Sequence, residues 1–121
     1  RIQAERNRIL TPDFGKYPQA RRWFDVFHQA MRQHDEVWIR YENDKGEGSE
    51  RVIHPLGLSF WGEVWVLVAW CELRQDYRCF RLDRCQAVTL TGKQFAERHD
   101  RSLEDDIRQQ KANSKRADDK Q

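Results

Sequence analysis

The spacing of apolar residues changes period along the chain, and each change marks an element. Between Pro18 and Gln33 the apolar positions include Ala20, Trp23, Phe24, Phe27, Ala30 and Met31. Intervals of three and four predict an amphipathic helix with an aromatic face, and Pro18 suits its first turn. After His34 and Asp35 the period falls to two. Val37, Ile39 and Tyr41 alternate with Trp38, Arg40 and Glu42, which predicts a first strand. Asn43 to Gly48 reads as a hairpin turn, and Arg51 to Ser59 as a second strand in which Pro55 demands an edge or a bulge. Val64 to Leu73 is apolar on both faces and predicts a central third strand. Tyr77 to Leu82 and Gln86 to Leu90 give a fourth and a short fifth. The fold class is therefore mainly β with flanking helices: a small antiparallel β-barrel preceded by the helix over 18–33. Ser102-Leu103-Glu104-Asp105 resembles a capping box and predicts a C-terminal helix over about 102–110. Residues 111–121 offer alanine as their only apolar type and are expected to be disordered.

A length of 121 residues implies one domain with one modest core. The chain begins at Arg1 without an initiator Met. It is expected to be a piece of a longer protein, with 1–17 a linker from a missing N-terminal domain. The longest apolar run, Val64 to Cys71, is far too short to span a membrane. The net charge of +2 is unevenly spread: residues 1–33 carry seven basic and three acidic side chains, residues 34–92 seven and ten. The central domain is therefore not a generally basic nucleic-acid binder. A local group (Arg74, Arg78, Arg81 and Arg84) favours a discrete anion site. Cys71, Cys79 and Cys85 form no C-x-x-C pair and are odd in number, so free thiols are expected, with neither a disulfide framework nor a metal site.

Alternation on the fourth strand puts Arg78, Phe80 and Leu82 on one face, with Arg84 if the strand extends that far. Tyr77, Cys79, Arg81 and Asp83 take the other. Arg81 has a ready ion-pair partner in Asp83. Arg78 and Arg84 have no acid on their own face, leaving two options: a ligand anion, or cross-strand pairing with Glu42, Glu72 or Asp76. On the second strand Arg51 and His54 are further candidates, with Pro55 able to aim His54 into the same cleft. No nucleophile elbow, P-loop or H-E-x-x-H motif is present, so binding rather than catalysis is expected.

Three stretches in order resemble the WYL domain family: Arg51-Val52-Ile53-His54-Pro55-Leu56-Gly57-Leu58, Trp65-Val66-Leu67-Val68-Ala69-Trp70-Cys71, and Arg78-Cys79-Phe80-Arg81-Leu82-Asp83-Arg84. With Phe60-Trp61-Gly62 and Trp70-Cys71-Glu72-Leu73-Arg74, the chain is most similar to YafY-like helix-turn-helix transcriptional regulators over about residues 18–108. Val66 stands where the family's naming triplet carries Tyr. The resemblance implies an Sm-like, SH3-type barrel that follows a DNA-binding helix-turn-helix domain in a cytoplasmic, homodimeric regulator. It implies no cofactor, and an effector that is a nucleotide or short single-stranded nucleic acid. Matched position by position, Arg51, His54, Arg78 and Arg84 would form the ligand surface, with Trp65 and Phe80 nearby. The competing reading is a dimerisation module with no small ligand.

Overall fold

The computed structural model describes Phe14 and residues 17–114. Helix α1 (Gln19–Gln33) is followed by β1 (Asp35–Glu42), β2 (Gly48–Trp61), β3 (Val64–Cys71) and β4 (Asp76–Arg81). A 3-10 turn (Leu82–Arg84), β5 (Cys85–Gln94) and α2 (Leu103–Ser114) complete the order. The five strands make one antiparallel sheet in the order β4-β3-β2-β1-β5. β4 and β5 are its two edges and no ladder joins them, so the expected closed barrel is observed as an open sheet.

β2 organises the sheet. Its first half pairs with β1 from Gly48 to Ile53, and its second half pairs with β3 from Ile53 to Trp61. The register shifts between Pro55 and Gly57. Pro55 lies beyond the last β1 pair, so its missing N–H breaks no bond of that ladder. The extra residue bends the strand as bulges do, which is the outcome the proline demanded. At the β2–β3 hairpin Gly62 takes φ 78°, and the Glu63 N–H donates to the Trp61 carbonyl at 2.9 Å.

α1 closes one face of the sheet. Its buried residues Ala20, Phe27 and Ala30 meet Val37, Ile39, Ile53, Leu67, Ala69, Phe80 and Leu82. The helix ends at His34, whose left-handed φ of 58° lets its N–H return to the Ala30 carbonyl. The predicted aromatic stripe is thus core.

The chain after β5 wraps the opposite face. The Phe95 N–H donates to the His34 carbonyl at 2.8 Å, and α2 then lies across β2, β3 and β4. Gly57 makes room for it: a Cβ there would stand 3.1 Å from both Leu103 methyls. α2 runs to Ser114, so the first residues of the expected 111–121 tail are helical. Residues 115–121, and nearly all of the expected 1–17 linker, lie outside the described residues. No described helix is long and apolar enough to cross a membrane.

Candidate functional site

The face of the sheet packed by α1 also carries the arginines. The register places Arg51 opposite Ile39, Arg78 opposite Ala69 and Phe80 opposite Leu67. Ile39, Ala69 and Leu67 are all fully buried, so alternation aims these three side chains to the core side. Arg51 is half-buried. Its Nε donates to Ser49 Oγ at 3.3 Å and its Nη1 to Cys71 Sγ at 3.5 Å. Cys71 pairs across β3–β4 with Asp76, and the Arg78 Nη1 lies 3.2 Å from Asp76 Oδ2. Arg51 and Arg78 thereby flank one end of β3. Asp76, one of the acids held open for Arg78, lies two residues before it on β4 itself and on the same face, so the pairing runs along the strand rather than across it and Arg78 does have an acid on its own face.

Tyr41 joins Arg84 to this face. Its hydroxyl accepts the Arg81 N–H at 3.0 Å and is reached by the Arg84 side chain, while its ring meets Phe80 edge-on at 5.0 Å. Burial raises the Tyr41 phenol, and the Arg81 N–H and Arg84 oppose that rise. Sequence reasoning missed Tyr41. Its place in the β1 alternation marked it only as core, because its partners come from 40 residues further on.

Of the other predicted site residues, Phe80 stays beside the arginines, while Trp65 and His54 separate from them. Phe80 is only 4% exposed, so it braces Tyr41 rather than offering a stacking face to solvent. Trp65 sits six residues along β3 from Cys71, a distance of about 20 Å in a strand. It packs with Phe24 at 4.8 Å, Phe60 at 5.1 Å and Phe14 at 6.4 Å, under α1. His54 lies on the opposite face, stacked on Phe95 at 4.5 Å between the carboxylates of Glu36 and Glu72. The structure therefore brings together Arg51, Arg78, Phe80 and Arg84, and sets His54 and Trp65 apart from them.

Arg81 and Asp83 form a two-toothed ion pair, Nε to Oδ1 at 3.0 Å and Nη2 to Oδ2 at 2.7 Å. The Asp83 side chain is 7% exposed. Its carboxylate holds the Arg81 guanidinium charged against the desolvation it suffers. Burial pushes the Cys85 thiol up to about 12. All three cysteines are free, and Cys79 alone is exposed.

The WYL domain profile matches residues 22–90. The chain belongs to the WYL domain family. In this WYL domain the matched span runs from α1 to β5 and takes in every arginine of the core-side face. The fold is similar to a solved structure of proteasome accessory factor B/C (PafBC) of Arthrobacter aurescens, with 27% identity and a TM-score of 0.63. That match covers 69% of this chain and 13% of the other, so the chain spans a small fraction of the length of PafBC. Val66 pairs with Arg81 and Ser59 and lines a cavity of about 350 Å³ beneath α2, with Val68, Cys79, Leu103 and Ile107. The residue that departs from the family triplet thus lies on the α2 face, away from Arg51 and Arg78.

Proposed function

We propose that this WYL domain is the effector-sensing part of a bacterial transcription regulator, and that it binds a nucleotide or short single-stranded nucleic acid through Arg51, Arg78 and Arg84. The observation that carries this reading is Arg51. It is a half-buried guanidinium whose hydrogen bonds, among the described residues, go only to a hydroxyl and a thiol. A charge withdrawn from water without a counter-charge is poised for an anion, and guanidinium matches phosphate geometry. Arg78 holds Asp76 in an exposed pair, with side chains 43% and 54% accessible. Such a pair contributes about 0–1 kcal/mol, so a phosphate can exchange for it. Tyr41 adds a hydroxyl between Arg84 and the end of β4.

WYL domains are associated with regulators. On this reading the chain is a binding module rather than an enzyme, and belongs to a YafY-like cytoplasmic protein whose helix-turn-helix domain precedes Arg1. In that protein the regulator is a homodimer. A ligand then acts only through its different affinity for two arrangements of the DNA reader. The test is a titration of the purified domain with labelled oligonucleotides and cyclic dinucleotides. Wild type is compared with Arg51→Ala, Arg78→Ala and Arg84→Ala, with circular dichroism as the folding control. Weaker binding by all three folded variants supports the site.

A dimerisation module without a small ligand is the second reading. It is favoured by Phe60 and Trp61, which are 41% and 70% exposed beside the β2–β3 hairpin. It predicts no ligand in that titration, and a dimer that Trp61→Ser dissociates in sedimentation.

A further inference from the structure

The face of the sheet away from the arginines carries a cluster that the effector reading leaves unused. His54 Nε2 stands 3.1 Å from Glu36 Oε2 and 3.3 Å from Glu72 Oε2. One ligand atom from each of the three side chains lies within 4.8 Å of the other two. The cluster is withdrawn from water: the side chains of His54, Glu36 and Glu72 are 10%, 17% and 33% exposed. We propose that Glu36, His54 and Glu72 form a site for a divalent transition-metal ion of the zinc type, open on one side to solvent.

Three observations carry the proposal. An imidazole nitrogen bears at most one hydrogen, yet here one nitrogen faces two carboxylate oxygens at nearly equal distance. Donor atoms about 2.0–2.2 Å from a tetrahedral zinc ion stand about 3.3–3.5 Å apart, close to the two observed separations. The side chains around the cluster hold the ligands in place. Thr91 Oγ1 donates to Glu36 Oε1 at 2.9 Å, which leaves Oε2 turned to the cluster, and the Phe95 ring fixes the imidazole plane. Arg101 pairs loosely with Glu72 Oε2 at 4.0 Å, too far for a hydrogen bond, so a bound ion would compete only with that long ion pair for the oxygen.

Access comes from a cavity of about 240 Å³ bounded by Glu36, His54, Lys93, Phe95, Arg98 and Arg101. Water from this side would complete the coordination sphere. Imidazole and carboxylate together suit zinc among the common divalent ions. The ion would tie β1, β2 and the residue following β3 to one point. Cysteine spacing gives no hint of such a site, because it uses none of the three thiols.

The test is titration of chelator-treated full chain with Zn²⁺ by calorimetry, and with Co²⁺ by visible absorption. Glu36→Gln and Glu72→Gln keep side-chain shape, and Thr91→Val removes the orienting donor together with the acceptor of the Lys93 N–H. The expected result is one saturable equivalent of Zn²⁺. Affinity should fall at least about tenfold in each Glu variant and measurably in Thr91→Val. Cys79→Ser should bind as wild type, and the Co²⁺ spectrum should lack thiolate charge transfer. The proposal is overturned by an absence of saturable binding, by binding that survives both Glu substitutions in folded protein, or by failure of Cys79→Ser to bind. The Glu variants are preferred to His54→Gln because the stacked, buried imidazole ring supports folding.

Discussion

The Tyr77 hydroxyl stands 2.6 Å from Asp105 Oδ2 and fastens α2 to the edge strand β4. The same oxygen lies 3.1 Å from the Ser102 N–H, which donates to it, and 3.1 Å from the Asp100 carbonyl. One side chain of the sheet thus anchors the turn before α2 and its first turn together. Tyr77→Phe removes only this oxygen and leaves the part-buried Ser102 N–H without its acceptor, while Asp105 Oδ2 keeps the Gln109 amide. The expected cost is about 1–3 kcal/mol. Amide exchange should rise through α2 while β1 and β2 keep their protection.

The same hydroxyl sets an alkaline limit. Burial, followed by the Asp105 carboxylate, pushes the Tyr77 phenol up to about 12. The folded value exceeds the unfolded value of about 10, so the tether's contribution is whole below pH ~10. It disappears as pH climbs toward 12. An absorbance titration of tyrosinate should therefore show a late step near pH 12 that is missing from Tyr77→Phe.

Arg81 and Arg51 should behave oppositely. Arg81→Ala strips a bidentate partner from the nearly buried Asp83 carboxylate and removes the cation from over the Tyr17 ring, 5.5 Å away. The expected destabilisation is about 2 kcal/mol, which lowers Tm by about 10 °C in a domain of this size. Arg51→Ala should leave Tm nearly unchanged and act on ligand affinity. Thermal melts of both variants check the division.

Val66→Tyr restores the residue found in the family's naming triplet. The new ring has room in the cavity of about 350 Å³ beneath α2, against Leu103 and Ile107. Because this lies across the sheet from Arg51 and Arg78, oligonucleotide affinity should match wild type. A change of affinity in the same titration would move the ligand surface to the α2 face.

Local pattern makes much of this fold legible. The three-and-four spacing from Ala20 to Met31 specifies α1 and its buried face. Pro55 announces a bulge because a strand cannot use an N–H it lacks. The Arg81–Asp83 pair is readable because its members are two residues apart. What does not show is non-local. Whether β4 meets β5 depends on how far β2 bends, which no single stretch of sequence encodes. β5 runs on to Gln94 although its later residues are exposed and polar, so alternation ends it too early at Leu90. The surroundings of His54 are hidden for the same reason. Glu36 lies 18 residues before it, on another strand, and Glu72 lies as far after it, just past β3. α2 carries few apolar residues, so its seat on Gly57 and Tyr77 is invisible without the sheet.

The core-side arginines are proposed to bind a phosphate-bearing effector. The salt dependence of binding tests this most directly. Anisotropy of a labelled single strand, measured from low to physiological salt, gives the slope of log K against log salt. Removing one arginine–phosphate interaction should make that slope shallower by about 0.7. Arg51→Ala, still folded and with unchanged Tm, should bind more weakly and with a shallower slope. A wild-type domain that binds no oligonucleotide or nucleotide, or an Arg51→Ala protein with wild-type affinity and slope, would contradict the account.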